Sequence, residues 1–313
     1  MRDPEALLRR LEWTVVRRLD GQLHGDYRTL FRGFGLDLAD LREYQFHDDV
    51  RRIDWNVTAR LQTPYVRQYH EDREVAAWFL VDLSGSVGFG SSGRSKREVA
   101  TEFVGSVARL LVRHGNAVGA MVYGDRVDTV IPARTGRRHL LHIVSRIDQR
   151  PADAPVSGRP TELGVLLGAA AEAIRRRSLV FVVSDFISEP GWERPLSRLA
   201  LRHEVVGIRV HDPLESKLPD LGLMVMQDAE TGEQLFVDTH DRGFRARFEQ
   251  AAARREASLR RSLAQAGVDT LEVSTADDLA EAVMRFADLR KQRSRLAGGG
   301  GMPGHLSAAG SPR

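Results

Sequence analysis

From residue 76 onward, the sequence alternates between apolar stretches typical of strands and amphipathic stretches typical of helices. The strand candidates, such as AAWFLVDLS and SLVFVVSDFI, are apolar along nearly their whole length. Apolar strands separated by helices are typical of a parallel sheet whose two faces are both covered, with right-handed crossovers. We therefore predict an α/β fold with a doubly wound, mostly parallel sheet and helices on both faces.

The predicted elements carry local signals at several boundaries. Ser95 and Glu98 form a capping box at the start of one helix, and Gly115 ends it. The stretches NAVGAMVYG and RVDTVIPAR are close enough to form a hairpin, and a second hairpin is predicted around a Thr-Gly turn. Further helices are predicted over 136–148, 161–177, 192–203 and 242–265 and from about residue 277, with further strands over 204–212 and 270–275.

The sequence also divides the chain into three regions. The first, residues 1–75, is predicted to contain an amphipathic helix over 5–19, a short helix in DDVRRIDWNVTARL with Trp55 as a buried anchor, and an extended stretch over 64–74. The α/β domain is predicted over 76–296. The last region, 297–313, is rich in Gly, Ser and Pro, and we expect it to be disordered.

Composition narrows the classes of function. The 46 basic and 43 acidic residues nearly cancel and are interspersed, which argues against a nucleic-acid-binding surface. The chain has no cysteine, so disulfides and thiolate metal sites are excluded and a reducing compartment is favoured. No stretch approaches the ~20 apolar residues of a membrane-spanning helix. We therefore expect a cytoplasmic protein.

The stretch FLVDLSGSVGFG raises the question of function. An apolar strand runs into Asp82, Ser84 and Ser86 within a glycine-rich turn. In parallel α/β sheets, ligands bind beyond the carboxyl ends of the strands, which is where these side chains are predicted to lie. The pattern is compatible with a metal site, a phosphate cradle, a serine nucleophile or a plain turn.

The surrounding residues weigh against the second and third alternatives. The glycines do not follow the order of a nucleotide-binding loop, and neither serine lies in a G-x-S-x-G elbow. A phosphoaspartyl enzyme would need a second acid two residues after Asp82, and Ser84 stands there. Serines that merely cap a turn remain the simplest structural alternative.

A metal site needs further oxygen ligands from the same edge of the sheet. Thr161 is predicted at the start of a helix, and Asp185 at the carboxyl end of another apolar strand. Each could also be an ordinary cap. Together with Asp82, Ser84 and Ser86 they give two carboxylates and three hydroxyls, a donor set that suits Mg²⁺ or Mn²⁺.

These residues resemble the metal-ion-dependent adhesion site of the von Willebrand factor A domain, a Rossmann-like fold. That family has a D-x-S-x-S motif, a distant Thr and a distant Asp, which correspond here to Asp82, Ser84, Ser86, Thr161 and Asp185. The segment LREYQFHDDVRRIDWNVTARLQTPYVRQYHEDRE, followed by LVDLSGSVGFG, resembles the bacterial domain-of-unknown-function family fifty-eight. This second resemblance implies a partnership with MoxR-type AAA+ ATPases and no established catalytic activity.

Three functions remain at this stage. The first is a non-enzymatic, metal-dependent protein-interaction module whose partner offers a carboxylate to the ion. The second is a metal-dependent phosphoester hydrolase, for which Glu162 or Asp153 would have to serve as the base. The third is a structural subunit in which buried charge pairs replace the ligands. We also expect the long VGFGSSGRS loop to leave the rim of the site mobile.

Overall fold

A six-stranded sheet forms the centre of the molecule, in the strand order β10-β7-β6-β3-β4-β5. All neighbouring pairs are parallel except β4 and β5, which form an antiparallel hairpin at one edge. This computed structural model describes residues 4–11, 15–19, 41–44, 58, 63–67, 76–149 and 160–298. The strands of the sheet are β3 Ala76–Asp82, β4 Ala117–Tyr123, β5 Val127–Arg134, β6 Leu179–Ser184, β7 Glu204–His211 and β10 Asp269–Ser274.

Helices cover both faces of this sheet, which confirms the predicted fold class. Helices α1, α2, α3 and α7 pack on one face, and α4, α5 and α6 pack on the other. Side chains alternate between the two faces along each strand, as the pleat requires. The helices are α1 Pro4–Leu11, α2 Lys96–Arg113, α3 Arg137–Asp148, α4 Leu163–Ala173, α5 Glu193–Arg202, α6 Arg242–Gln265 and α7 Leu279–Gly298.

The two cores are built differently. Phe79 and Phe181 stack at 4.9 Å between ring centroids, and Phe103 of α2 meets both rings edge-on. On the opposite face, Trp78 and Leu80 pack against aliphatic residues of α4. Fully buried apolar side chains of this size each contribute about 1.5–3 kcal/mol relative to exposure. The central strands are therefore rigid supports for whatever follows their carboxyl ends.

The topology creates a crevice at those ends. Strand β3 pairs with β4 on one side and with β6 on the other, so the chain direction around the sheet reverses between β3 and β6. Ligands in open α/β sheets bind at such reversals, outside the carboxyl ends of the strands. Asp82 is the last residue of β3, and Ser184 is the last residue of β6.

The N-terminal helical residues join the same core. Leu8, Leu11, Val15 and Leu19 are buried against the α2 and α3 face. The chain of α1 approaches α2 closely at Gly105, where an added Cβ would lie 2.8 Å from a methyl carbon of Leu11. The predicted helix over 5–19 is thus helical at 4–11 and 15–19.

Some predicted features fall elsewhere or outside the described residues. The extended stretch over 64–74 is a strand at β2, Tyr65–Arg67, which pairs antiparallel with β1, Leu41–Glu43. Helix α4 is shorter than the predicted 161–177 because Ile174 is extended and buries its side chain. The predicted helix around Trp55, Asp153 and the tail beyond residue 298 lie outside the described residues.

A separate two-stranded hairpin lies between β7 and α6. Its strands are β8 Leu223–Gln227 and β9 Gln234–Asp238, and they pair only with each other in the described structure. Thr239 anchors the base of this hairpin, where its hydroxyl donates to Gly222 O at 2.8 Å and accepts from Leu221 N at 2.9 Å.

In the described part of the chain, no helix combines the length and hydropathy needed to cross a membrane.

Candidate functional site

The five residues predicted as ligands lie at one edge of the sheet, the edge formed by the carboxyl ends of the strands. Each is buried, with at most 6% of its surface exposed. Thr161 belongs to this edge because its carbonyl accepts hydrogen bonds from Glu189 N and Ser188 Oγ, in the segment that follows β6. The residues concerned are Asp82, Ser84, Ser86, Thr161 and Asp185. Their metal-binding role stays a prediction.

Asp82 is a buried carboxylate held by neutral donors. Its Oδ1 accepts from Ser84 N at 2.9 Å, and its Oδ2 accepts from Ser184 Oγ at 2.7 Å. Burial and the charge of Asp185 raise the pKa of Asp82 from 3.8 to about 6. Within the described residues, no Lys, Arg or His forms an ion pair with it. Asp82 therefore carries a charge that its surroundings do not offset.

The two serines place their hydroxyls side by side. Their Oγ atoms are 3.3 Å apart, at the start of the short 3-10 turn Gly85–Gly88. Ser84 precedes that turn but its side chain caps no amide, so the simple capping role does not account for it. Adjacent oxygens around an octahedral Mg²⁺ lie about 2.9 Å apart. The serine oxygens are thus spaced much as two neighbouring ligands would be.

Asp185 has a cation of its own, which the sequence analysis missed. Lys96 Nζ lies 2.6 Å from Asp185 Oδ2 and also contacts Glu215. Burial opposes the charged form of Lys96, but the two carboxylates outweigh it and hold the pKa of Lys96 above its usual value. A signal was available, because a lysine at the first position of a helix faces the positive end of the helix dipole and needs a local reason to be there.

The backbone that carries Asp185 is strained. Phe186 has φ 58°, a left-handed conformation that costs of order 1–3 kcal/mol for a bulky residue. Its ring is buried against Trp192, with 5.5 Å between centroids, and its amide donates to Ser184 Oγ at 2.9 Å. Ile187 N donates to Asp185 Oδ1 at 3.0 Å. Together these contacts hold the Asp185 carboxylate in one orientation.

Thr161 is bound by a carboxylate from the β8–β9 hairpin. Thr161 N donates to Glu230 Oε2 at 2.9 Å, and Thr161 Oγ1 donates to Glu230 Oε1. The same hairpin tip packs on Gly85, where an added Cβ would lie 2.3 Å from Ala229 O. Thr161 is not the residue that caps α4, and its hydroxyl bonds to Glu230 instead. No sequence pattern indicated this contact.

The glycine-rich loop is held more firmly than we expected. Ser91 N and Oγ both donate to Asp212, at 2.7 and 2.6 Å, and Lys96 N donates to Phe89 O at 2.9 Å. Thr275 Oγ1 donates to Asp212 as well, at 2.6 Å. The expectation of a mobile rim thus conflicts with these hydrogen bonds, which tie the loop to the ends of β7 and β10.

The donor set fits a small, hard divalent cation in part. Asp82, Ser84 and Ser86 offer the hard oxygen donors that Mg²⁺ or Mn²⁺ prefers, and the two serine hydroxyls are adjacent. Asp185 already accepts a hydrogen bond from Lys96, whereas Thr161 donates its hydroxyl hydrogen to Glu230 and keeps the lone pairs of its oxygen. No group of three or more His, Asp or Glu side chains in the described residues is arranged to hold a metal. Any ion here would depend on the serine hydroxyls.

The structure describes only one of the two bases that the hydrolase alternative requires. Glu162 follows Thr161, and its amide donates to the hydroxyl of Tyr123 at 3.0 Å. Asp153 lies outside the described residues. A carboxylate that the sequence did not single out, Glu230, has both its oxygens bonded to Thr161.

Fold and site together define a doubly wound α/β domain with an oxygen-rich candidate site at the switch point of its sheet. The sequence matches the family described as Protein of unknown function DUF58 over residues 40–258. The chain belongs to this family. It is 39% identical to Uncharacterized protein Rv1480 of Mycobacterium tuberculosis strain H37Rv over 303 residues, which cover 95% of this chain and 93% of that protein.

Solved structures with a similar course of the chain share little sequence with it. BatB from Bacteroides thetaiotaomicron is 16% identical, with a TM-score of 0.45 over 71% of this chain and 98% of that chain. An aerotolerance-related membrane protein from Bacteroides fragilis is 14% identical, with a TM-score of 0.45 over 70% and 99%. The SpRpn10 VWA domain is 17% identical, with a TM-score of 0.38 over 67% and 94%. We base no functional argument on similarities this low.

Proposed function

We propose that this chain is a non-enzymatic module that binds a protein partner through a divalent cation, Mg²⁺ or Mn²⁺. The observation that carries the proposal is the Asp82 carboxylate, buried without a cationic partner among the described residues and lying next to two hydroxyls 3.3 Å apart. A buried uncompensated charge is costly, and a bound cation would relieve that cost.

The chain's own residues would divide the work. Asp82, Ser84 and Ser86 would hold the ion directly, while Thr161 and Asp185 would complete or orient the shell from the opposite side of the crevice. When bound, the ion supplies a positive centre that few protein charges offset, and it would attract a further carboxylate. Lys96 would hold the Asp185 carboxylate in place through their ion pair.

The partner is proposed to be a protein that presents an acidic side chain. The resemblance described from the sequence suggests a MoxR-type AAA+ ATPase, or a client of one, in protein maturation or complex assembly. A cytoplasmic location belongs to the same proposal.

The experiment is capture of a purified MoxR-type ATPase on immobilised protein, with and without a chelator. Ser84→Ala combined with Ser86→Ala should weaken capture, because it removes two neutral ligands and leaves the small-residue packing intact. Ser258→Ala combined with Ser262→Ala, on the outer helix α6, is the matched control and should capture as the wild type does.

The possible results separate the functions. Equal capture by the wild type, the site variant and the chelated wild type would contradict a metal-mediated contact. Hydrolysis of p-nitrophenyl phosphate by the purified protein, lost in Asp82→Asn, would replace this proposal with the phosphoester hydrolase alternative.

A further inference from the structure

The carboxylate of Glu230 is bound within this molecule by the kind of contacts that a protein makes with an external carboxylate ligand. Both of its oxygens are engaged by one residue, through the amide and the hydroxyl of Thr161. Thr161 lies two residues before α4, a helix of 11 residues whose positive end favours an anion. The contact joins residues 69 positions apart in sequence and lies at the candidate site, not in the core.

The hairpin tip is shaped to deliver this carboxylate. Asp228 Oδ1 accepts from Glu230 N at 2.9 Å and from Thr231 N at 2.7 Å, which fixes a narrow turn. Gly232 completes the turn with φ 76°. The backbone of Ala229 lies directly on Gly85, a position at which any side chain would collide with it. A small residue followed by an acid, on a tight turn, is therefore the shape that this edge accepts.

The rest of the hairpin is weakly attached to the molecule. Of the ten residues in its two strands, only Val237 is buried. Leu223, Val225 and Phe236 share one face of the hairpin and are exposed by 81%, 46% and 79%. An isolated two-stranded hairpin is marginally stable in water. The contacts at its base and tip therefore decide whether this hairpin stays in place.

We infer that the β8–β9 hairpin is a displaceable cap, in which Glu230 holds the place of a partner's acidic side chain. This inference rests on the proposed function, because it takes the same edge of the sheet as the binding site. The partner that it specifies carries Asp or Glu on a narrow turn, directly after a small residue. Partner binding and the docked hairpin exclude each other.

The test is titration of the purified protein with Mg²⁺, followed by calorimetry, in sodium acetate and in sodium chloride at equal concentration. Glu230→Ala should bind Mg²⁺ about tenfold more weakly in chloride, since it removes an anionic neighbour of a ligand residue. Acetate should restore most of that affinity by filling the vacated position. The wild type, whose own carboxylate is in place, should bind equally in both salts.

Two further variants keep the result interpretable. Glu230→Gln has nearly the same shape without the charge, so its affinity should fall and acetate should not restore it. Glu233→Ala removes an exposed acid from the same turn and should behave as the wild type does. Circular dichroism confirms that each variant is folded.

Each outcome either supports or overturns the inference that the hairpin is a displaceable cap. Rescue of Glu230→Ala by acetate supports the cap. A Glu230→Ala variant that binds Mg²⁺ as the wild type does, or that is weakened without rescue by acetate, overturns the cap and leaves the metal site standing. Absence of Mg²⁺ binding by the wild type overturns both the cap and the proposed function.

Discussion

Asp82 and Asp185 follow neighbouring strands at the same edge of the sheet, yet their surroundings differ. Asp185 has the ammonium group of Lys96 at 2.6 Å, with Glu215 on the other side of that cation. Asp82 is bonded by neutral donors among the described residues, namely the amide and hydroxyl of Ser84 and the hydroxyl of Ser184. One half of the site is therefore charge-compensated by the fold itself, while the other half has no cation among the described residues.

The two carboxylates thus differ in their charged surroundings although they lie at the same edge of the sheet. The Lys96–Asp185 pair corresponds to the structural alternative considered from the sequence, in which buried pairs replace ligands. It accounts for Asp185 alone and leaves Asp82, Ser84 and Ser86 without such an explanation.

The largest effect on stability is expected at the ion pair of Lys96 and Asp185. Lys96→Met leaves Asp185 and Glu215 without their cation, and breaking a buried pair in this way costs about 3–5 kcal/mol. Urea unfolding should show that loss. Combining Lys96→Met with Asp185→Asn should recover most of it, because the unpaired charge is then removed. Lys217→Met, at an exposed position, should change stability by less than about 0.5 kcal/mol. Similar losses in both lysine variants would contradict the compensated state of Asp185.

A slightly smaller effect is expected on the uncompensated side, and it depends on pH. Burial and Asp185 raise the pKa of Asp82 to about 6, so folding favours the protonated form of this group. Its contribution to stability is complete below about pH 4 and is lost as the pH rises through about 6, a change of roughly 3 kcal/mol.

The measurement is the difference in unfolding free energy between the wild type and Asp82→Asn at several pH values. Asparagine cannot ionise, so the variant does not lose this stability. As the pH rises from 4 to 7, the unfolding free energy of Asp82→Asn should therefore increase relative to that of the wild type. Using the difference cancels the carboxylates that do not interact with Asp82. A difference that stays constant over this range would show that Asp82 is compensated after all.

A smaller, local effect is expected where the tip of the β8–β9 hairpin contacts Gly85, in the turn that follows Asp82. Gly85→Ala places a methyl group 2.3 Å from Ala229 O, so the hairpin tip must move away from the site. Hydrogen exchange of the hairpin amides should become faster, while the protection of the central strands stays unchanged. Gly168→Ala is the control, because a Cβ there meets no atom within 4 Å. Unchanged hairpin exchange in Gly85→Ala would mean that the tip is not packed on this glycine.

The sequence was sufficient for the parts of the site that depend on local order. Strand ends and helix starts are readable from periodicity, so the common edge of Asp82, Thr161 and Asp185 followed from the predicted sheet. The capping box of Ser95 and Glu98 was equally local and is present in the structure.

The missing parts are long-range contacts of charged side chains. Lys96 meets Asp185 across 89 positions, and Glu230 meets Thr161 across 69. No local pattern specifies which surface a hairpin tip will touch, and Glu230 looked like any acid in an exposed turn. Lys96 was detectable in principle, because a lysine opening a helix opposes the helix dipole. The strain at Phe186 was not detectable, since its left-handed backbone depends on packing against Trp192.

Thermal unfolding with Mg²⁺ and with a chelator tests whether Asp82 belongs to a cation site. A ligand that binds only the folded state raises the Tm, by an amount that grows with the logarithm of its concentration relative to its Kd. We predict that Mg²⁺ raises the Tm of the wild type, that the chelator reverses the increase, and that Asp82→Asn shows little of either effect. Equal shifts in both proteins, or no shift in the wild type at millimolar Mg²⁺, would contradict the proposed cation site at Asp82.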